Sequence, residues 1–216
     1  MLAPEGYPTI IVVFLFSALA AVGASYLDHW SVWLIYAALV LLCGLIIYFF
    51  RDPERQTPDD ANLIVAPADG KVVLIRETGE NSYLNETVTQ ISIFLSPMDV
   101  HVNRVPVTGK LEYLEYFPGK YLMAWEDQAS ELNERAHFGV LHPSGMKIMF
   151  KQITGFLARR IVYHLKEGDE IAAGQRFGIM KFGSRMDVLL PGDVDVYVKE
   201  GDRTVAGESL LGRIRP

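Results

Sequence analysis

Lys181-Phe-Gly-Ser-Arg-Met-Asp-Val-Leu-Leu-Pro191 runs a Gly-Ser pair straight into a short β-type segment, Arg185–Leu190, and ends it with proline. Glycine has no Cβ and tolerates backbone conformations closed to other residues, so Gly183 leaves its own carbonyl open to attack by the Ser184 hydroxyl. A bare Gly-Ser pair is usually an ordinary β-turn; the surroundings of this one set it apart. Runs of the same β type recur between Gly, Pro and polar clusters at Lys71–Arg76, Val88–Leu95, Val100–Val105, Lys110–Tyr116, Met146–Ile153 and Val194–Lys199. Helical periodicity in this region is confined to Ser130–Ala136 and a short turn around Phe156–Ile161. The expected fold is therefore mainly β: a compact, mostly antiparallel domain over residues 63–216, with a serine-bearing turn among its late strands.

The first fifty residues follow a different pattern. They contain no Lys or Arg and only two acids, Glu5 and Asp28. Ile10–Leu27 and Val32–Phe50 are apolar runs of 18 and 19 residues. At about 1.5 Å per residue each helix would nearly match a hydrocarbon core of roughly 30 Å. A signal peptide would need a basic leader, which Met1–Thr9 lacks. Two transmembrane helices joined at Asp28–Ser31 are expected over residues 1–50, followed by a Pro- and acid-rich linker at 51–62. Arg51 and Arg55 follow the second helix, and the inter-helix loop has no basic residue. The positive-inside bias thus predicts a cell-membrane protein whose C-terminal domain faces the cytoplasm.

Charge and cysteine usage narrow the function. All 20 Lys and Arg residues, and all acids but those two, lie beyond residue 50, with no basic run and no aromatic-basic interleaving to suit nucleic acid. Cys43 is the only cysteine and lies in the second apolar run, which excludes an intrachain disulfide. Five scattered histidines show no metal-ligand spacing, so no metal site is expected. A homo-oligomer is compatible with the sequence but not specified by it.

One alternative comes from Leu165-Lys-Glu-Gly-Asp-Glu-Ile-Ala-Ala-Gly174, which has the turn pattern of biotinyl and lipoyl carrier domains, with Lys181 as a candidate attachment point. A carrier would leave the Asp69 and His101 segments without purpose. Gly-x-Ser-x-Gly, the turn of α/β-hydrolases, is absent.

The Gly183-Ser184 stretch resembles the processing site of phosphatidylserine decarboxylase proenzymes. The resemblance continues through Phe49-Phe-Arg-Asp-Pro-Glu-Arg55, Ala66-Pro-Ala-Asp-Gly70, Phe94-Leu-Ser-Pro-Met-Asp-Val-His-Val-Asn-Arg-Val-Pro106, Asn133-Glu-Arg135, Gln152-Ile-Thr-Gly155 and Ala158-Arg-Arg160, in the order of that family's short form. It implies self-cleavage between Gly183 and Ser184, giving chains 1–183 and 184–216 that stay together as a heterodimer. It also implies a covalent pyruvoyl group derived from Ser184. That group would form a Schiff base with phosphatidylserine in the membrane and draw electrons as carbon dioxide leaves, yielding phosphatidylethanolamine.

Self-cleavage needs a nucleophile, a base and a group to orient the base, the logic of the Ser-His-Asp triad. Ser184 is the nucleophile. His101, whose residue type titrates near about 6.5, is the best base, and period-two alternation puts it on one strand face with Asn103. The alternative for His101 is an exposed polar strand face, and for Asp69 an ordinary Pro-x-Asp-Gly turn. The resemblance favours Asp69 as orienter, with Asp99 and Asn103 as supporting candidates. Arg159 and Arg160 are candidates for holding the lipid phosphate. Longer relatives carry a second histidine three positions after the first, where this chain has Arg104.

Overall fold

The computed structural model describes residues 1–119, 132–155, 161–180 and 184–215, and the chain divides into two compact units, Met1–Glu54 and Arg55–Pro216. In the first, helices α1 (Tyr7–Ala24) and α2 (Val32–Phe49) form a hairpin whose residues are almost all apolar. Both are long and apolar enough to cross a bilayer, and large side chains such as Leu15, Leu19 and Val40 are exposed along them. A helix apolar all round, with its side chains uncovered, fits lipid rather than water. Tyr36 donates to the Ala21 carbonyl at 3.4 Å, and the Cys43 thiol to Ser17 Oγ at 3.5 Å. α1 begins and ends three residues before the expected run. A Pro4–Gly6 turn leads into it, Pro8 suits the first helical turn, and the connection lengthens to Ser25–Ser31.

The second unit is built on an antiparallel sheet of eight strands. Its middle consists of β2 (Gly70–Glu80), β3 (Glu86–Leu95), β11 (Ser184–Leu190), β7 (Lys147–Thr154), β6 (Arg135–Leu141) and β5 (Gly109–Phe117), in that spatial order. The two-residue strands β13 (Arg203–Thr204) and β9 (Glu170–Ile171) close its edges. Two three-stranded sheets complete the unit. One orders β1 (Leu63–Val65), β14 (Leu210–Ile214) and β12 (Val194–Val196); the other orders β4 (Val102–Arg104), β10 (Arg176–Met180) and β8 (Ile161–Tyr163). The mainly β, antiparallel expectation holds. The expected helix at Ser130–Ala136 does not extend through its end, because Arg135 and Ala136 open β6 and Ala136 pairs with Gln152; residues 130–131 lie outside the described residues. Most of the expected turn at Phe156–Ile161 also lies outside them, and Ile161 opens β8.

β11 lies between β3 and β7, and alternation divides its side chains. Met186, Val188 and Leu190 join the main core with Ile91, Ile93, Ile148 and Phe150. Phe138, Phe150 and Phe177 meet there, with ring centroids 4.9 to 5.3 Å apart. On the other face, Arg185 and Asp187 form a fully buried ion pair at 2.7 Å. Ser92 Oγ accepts from Arg185 at 2.6 Å, and Gln90 donates to Asp187 at 2.9 Å. Such a pair is tolerable in a core because its hydrogen-bonding groups find partners.

The same face of β6 carries a pH liability. His137 is buried against Phe117, with neither ring nitrogen hydrogen-bonded among the described residues. Burial, with Lys151 and Arg135 adding to it, pushes its pKa down to about 3. The folded protein keeps the ring neutral while the unfolded chain protonates it below about 6.5. Stability is therefore complete above that pH and falls toward pH 3, by up to about 1.4 kcal/mol per pH unit. His137→Leu is expected to flatten this acid limb in denaturant titrations run at pH 7, 5 and 4; an unchanged limb would assign the loss to other groups.

Candidate active site

Ser184 is the first residue of β11, flanked by Leu95 of β3 and Thr154 of β7. Its side chain is fully buried, and Oγ has no hydrogen-bond partner among the described residues. An unpaired buried hydroxyl is costly in a core, so this position is unusual among the buried polar groups. Gly183 and Lys181 lie outside the described residues, as do Arg159 and Arg160.

Two connections link the segments that carry His101 and Ser184. Leu95, the β3 partner of Ser184, leads directly into the Ser96–Asp99 turn that precedes His101. On the other side, the His101 carbonyl accepts from Met180 N–H at 3.4 Å, at the end of β10 and four residues before Ser184. Asp99 builds the turn: its carboxylate accepts from Ser96 N–H at 2.9 Å and from Arg203 at 3.0 Å. Its backbone carbonyl lies 3.0 Å from His101 Nδ1. A carbonyl can only accept, so Nδ1 carries the hydrogen, and whenever the ring is neutral Nε2 is the basic nitrogen. The ring is fully buried.

Asp69 sits where the Pro67–Gly70 turn enters β2. Its partners are Arg55, at 2.8 and 3.1 Å, and Ala206 N–H at 2.8 Å, rather than the His101 ring. The group holding Nδ1 is thus the Asp99 carbonyl, an atom no side-chain motif reveals. Burial raises the Asp69 pKa above its ordinary value; Ala206 N–H and Arg55 oppose the rise, and the charge of Asp99 adds to it. That mutual repulsion places the two carboxylates in one neighbourhood, with Arg55 and Arg203 as counter-charges.

Asn103 is buried in β4, and its Oδ1 accepts from Gln152 Nε2 at 2.9 Å. Gln152 went unassigned in the sequence, although it interrupts the core-facing alternation of Ile148 and Phe150 on β7. Arg104 donates to the Gly174 carbonyl at 2.8 Å and lies next to Gly207, where an added Cβ would come within 2.9 Å of its side chain. Strand alternation turns Arg104 away from the face of His101 and Asn103, so this arginine does not stand in for a second imidazole on that face.

Comparison with known proteins bears on this arrangement. The profile of the phosphatidylserine decarboxylase family matches residues 42–212, and so takes in every residue named in this site. The chain belongs to that family. It is 54% identical over 196 residues to a phosphatidylserine decarboxylase proenzyme of Salinibacter ruber, covering 89% of this chain and 86% of the relative. Proenzymes of Symbiobacterium thermophilum and Pelodictyon phaeoclathratiforme are 43% and 42% identical, each over 99% of this chain and 96% and 100% of theirs. The match also spans the 165–181 segment on which the carrier alternative rested.

Proposed function

We propose that this chain is a membrane-anchored phosphatidylserine decarboxylase that matures by cutting itself between Gly183 and Ser184 into chains of residues 1–183 and 184–216. The observation that carries the reading is the buried Ser184 hydroxyl, which has no hydrogen-bond partner among the described residues and stands at the start of a central strand, in a chain of this family. His101 Nε2 takes the Ser184 proton as Oγ forms a bond to the residue 183 carbonyl carbon. The amide C–N bond then breaks, and its nitrogen takes up a proton. The upstream chain is left as an ester on Oγ, and loss of the Cα proton with cleavage of the Cβ–O bond frees it as a carboxylate and leaves dehydroalanine at position 184. The enamine of that residue takes up one water and releases one ammonia to leave the ketone. Asp69, fixed by Arg55 and Ala206, supports the imidazolium with its charge, and Asp99 holds the ring through its carbonyl.

Position 184 suits a pyruvoyl group: residue 184 is buried and anchored between two strands, and its neighbour Arg185 is locked by a buried ion pair. Once formed, that group supplies a carbonyl that withdraws electrons from a substrate amine's α-carbon, the service pyridoxal phosphate gives elsewhere. The protein's part is to hold the substrate with its carboxylate oriented for loss. Arg159 and Arg160 are proposed to bind the lipid phosphate, and the hairpin to keep the domain at the cytoplasmic face of the cell membrane.

The test is carbon dioxide release from phosphatidylserine by the purified protein, compared with a chain beginning at Arg51. Asp69, His101 and Ser184 all lie beyond that truncation, so the shorter chain is expected to cut itself normally. It should lose activity on bilayer vesicles and keep most of it on short-chain lipid in detergent. A truncated chain that folds without maturing would make the hairpin part of the maturation machinery.

A further inference from the structure

Beside Ser184 lies a second pair of buried polar groups for which the chemistry above has no use. Asn103 and Gln152 are both fully buried, and one hydrogen bond of 2.9 Å joins them. Asn103 Nδ2 and Gln152 Oε1 have no partner among the described residues, and Ser184 Oγ is the third such atom in this corner. Buried amide groups nearly always find partners, because leaving one unpaired costs its desolvation.

The bond also spans two sheets. Asn103 is on β4 of the small sheet, just past His101, and Gln152 is on β7 of the large sheet. Gln152 pairs with Met186 and Thr154 with Ser184, so Gln152 and Ser184 share a face as diagonal neighbours across adjacent strands. Diagonal Cβ atoms lie about 7–8 Å apart, within reach of a glutamine side chain. Gly178 opposite makes room: a Cβ there would press to 2.2 Å of the Val162 carbonyl and 3.2 Å of Gln152 Nε2.

We propose that Gln152 and Asn103 are a positioning pair, which sets the strand bearing the base against the strand bearing the nucleophile and presents one donor and one acceptor to the group at position 184. This rests on the self-cleavage reading above. If both amides turn over together, Asn103 donates to Gln152 instead; one N–H and one C=O still remain free, so the presentation survives either arrangement. The free N–H suits a carbonyl oxygen gaining negative charge, as the residue 183 oxygen does when Ser184 attacks. Because the pair is neutral, it adds this donor without a charge that would have to be buried.

The experiment uses full-length Gln152→Met and Gln152→Glu chains, with three measurements: thermal midpoint, rate of self-cleavage of newly made chain, and pH dependence of that rate. Methionine keeps the volume and removes the bond. Misplacing reacting groups by about an ångström costs on the order of a hundredfold, and Gln152→Met is expected to slow cleavage by about that factor. Glutamate restores a hydrogen bond to Asn103 in either protonation state, so cleavage should recover in part, with a new ionisation in its pH profile. If Gln152→Met lowers only the thermal midpoint and cleaves at the wild-type rate, the pair is core filling and the proposal fails. Should Gln152→Met not fold, the glutamate profile decides: an added ionisation supports the pair, and a profile superimposable on wild type overturns it. Wild-type chain run alongside separates the two readings, since a wild type that never cleaves removes the self-cleavage reading and this proposal with it.

Discussion

Ser184→Ala is expected to leave the purified protein as one full-length polypeptide under conditions that convert the wild type completely into two. The effect should be all or none, because alanine removes the hydroxyl proposed to attack the residue 183 carbonyl. The fold should tolerate the change. Ser184 Oγ has no hydrogen bond to lose among the described residues, and a methyl suits the neighbourhood of Leu95, Met186 and the main core. Alanine should therefore be neutral or slightly stabilising, since it removes a buried unpaired hydroxyl. Cleavage of the alanine variant at the same bond, seen on a denaturing gel, would refute an autocatalytic origin.

His101→Ala carries the second largest effect. Removing a positioned general base commonly costs about 10²–10⁴-fold, and cleavage should slow by a factor in that range. The His101 side chain is fully buried, so alanine also leaves a cavity. His101→Gln is the cleaner companion: its side-chain N–H can still donate to the Asp99 carbonyl, but it has no imidazole lone pair. Equal slowing in both variants assigns the loss to proton transfer, whereas near-normal cleavage in the glutamine variant would reduce His101 to a structural role. Asp69→Ala should slow maturation too, through loss of charge and of the Arg55 and Ala206 contacts that fix its turn. Normal cleavage rates in both His101→Ala and Asp69→Ala would show that the base lies elsewhere.

Much of this architecture is legible in the sequence where a strand has one face in the core and a clear alternation. Val88–Leu95 and Arg185–Leu190 are such runs, and they became the two neighbouring strands that hold Ser184. The apolar helices were legible from hydropathy alone, with their ends displaced by Pro8 and the turn before it. β6 was hidden because its second face buries His137, a polar residue where alternation suggests solvent. β10 was hidden because Arg-Phe-Gly-Ile-Met carries a glycine whose purpose, close approach to the Val162 carbonyl, is purely tertiary. The nucleophile and the base were named from residue type and family resemblance. The carbonyl that meets His101 Nδ1 belongs to the backbone of Asp99, and no side-chain motif encodes that contact. The Asp69–Arg55 pairing depends on how a linker returns to the domain, and no local pattern encodes that. Gln152 left one signal, a polar residue at a core-facing position, which reads as noise until its partner on another sheet is known.

The most direct test of the central claim is the intact mass of the fragments from purified wild-type protein. The account predicts a large fragment ending at Gly183 with an ordinary carboxylate, and a small fragment of residues 184–216 lighter by one ammonia than its sequence with a free amino terminus. That difference is what remains when the N-terminal serine has become a pyruvoyl group. A single species at the full-length mass, or a small fragment that retains an intact N-terminal serine, would contradict it.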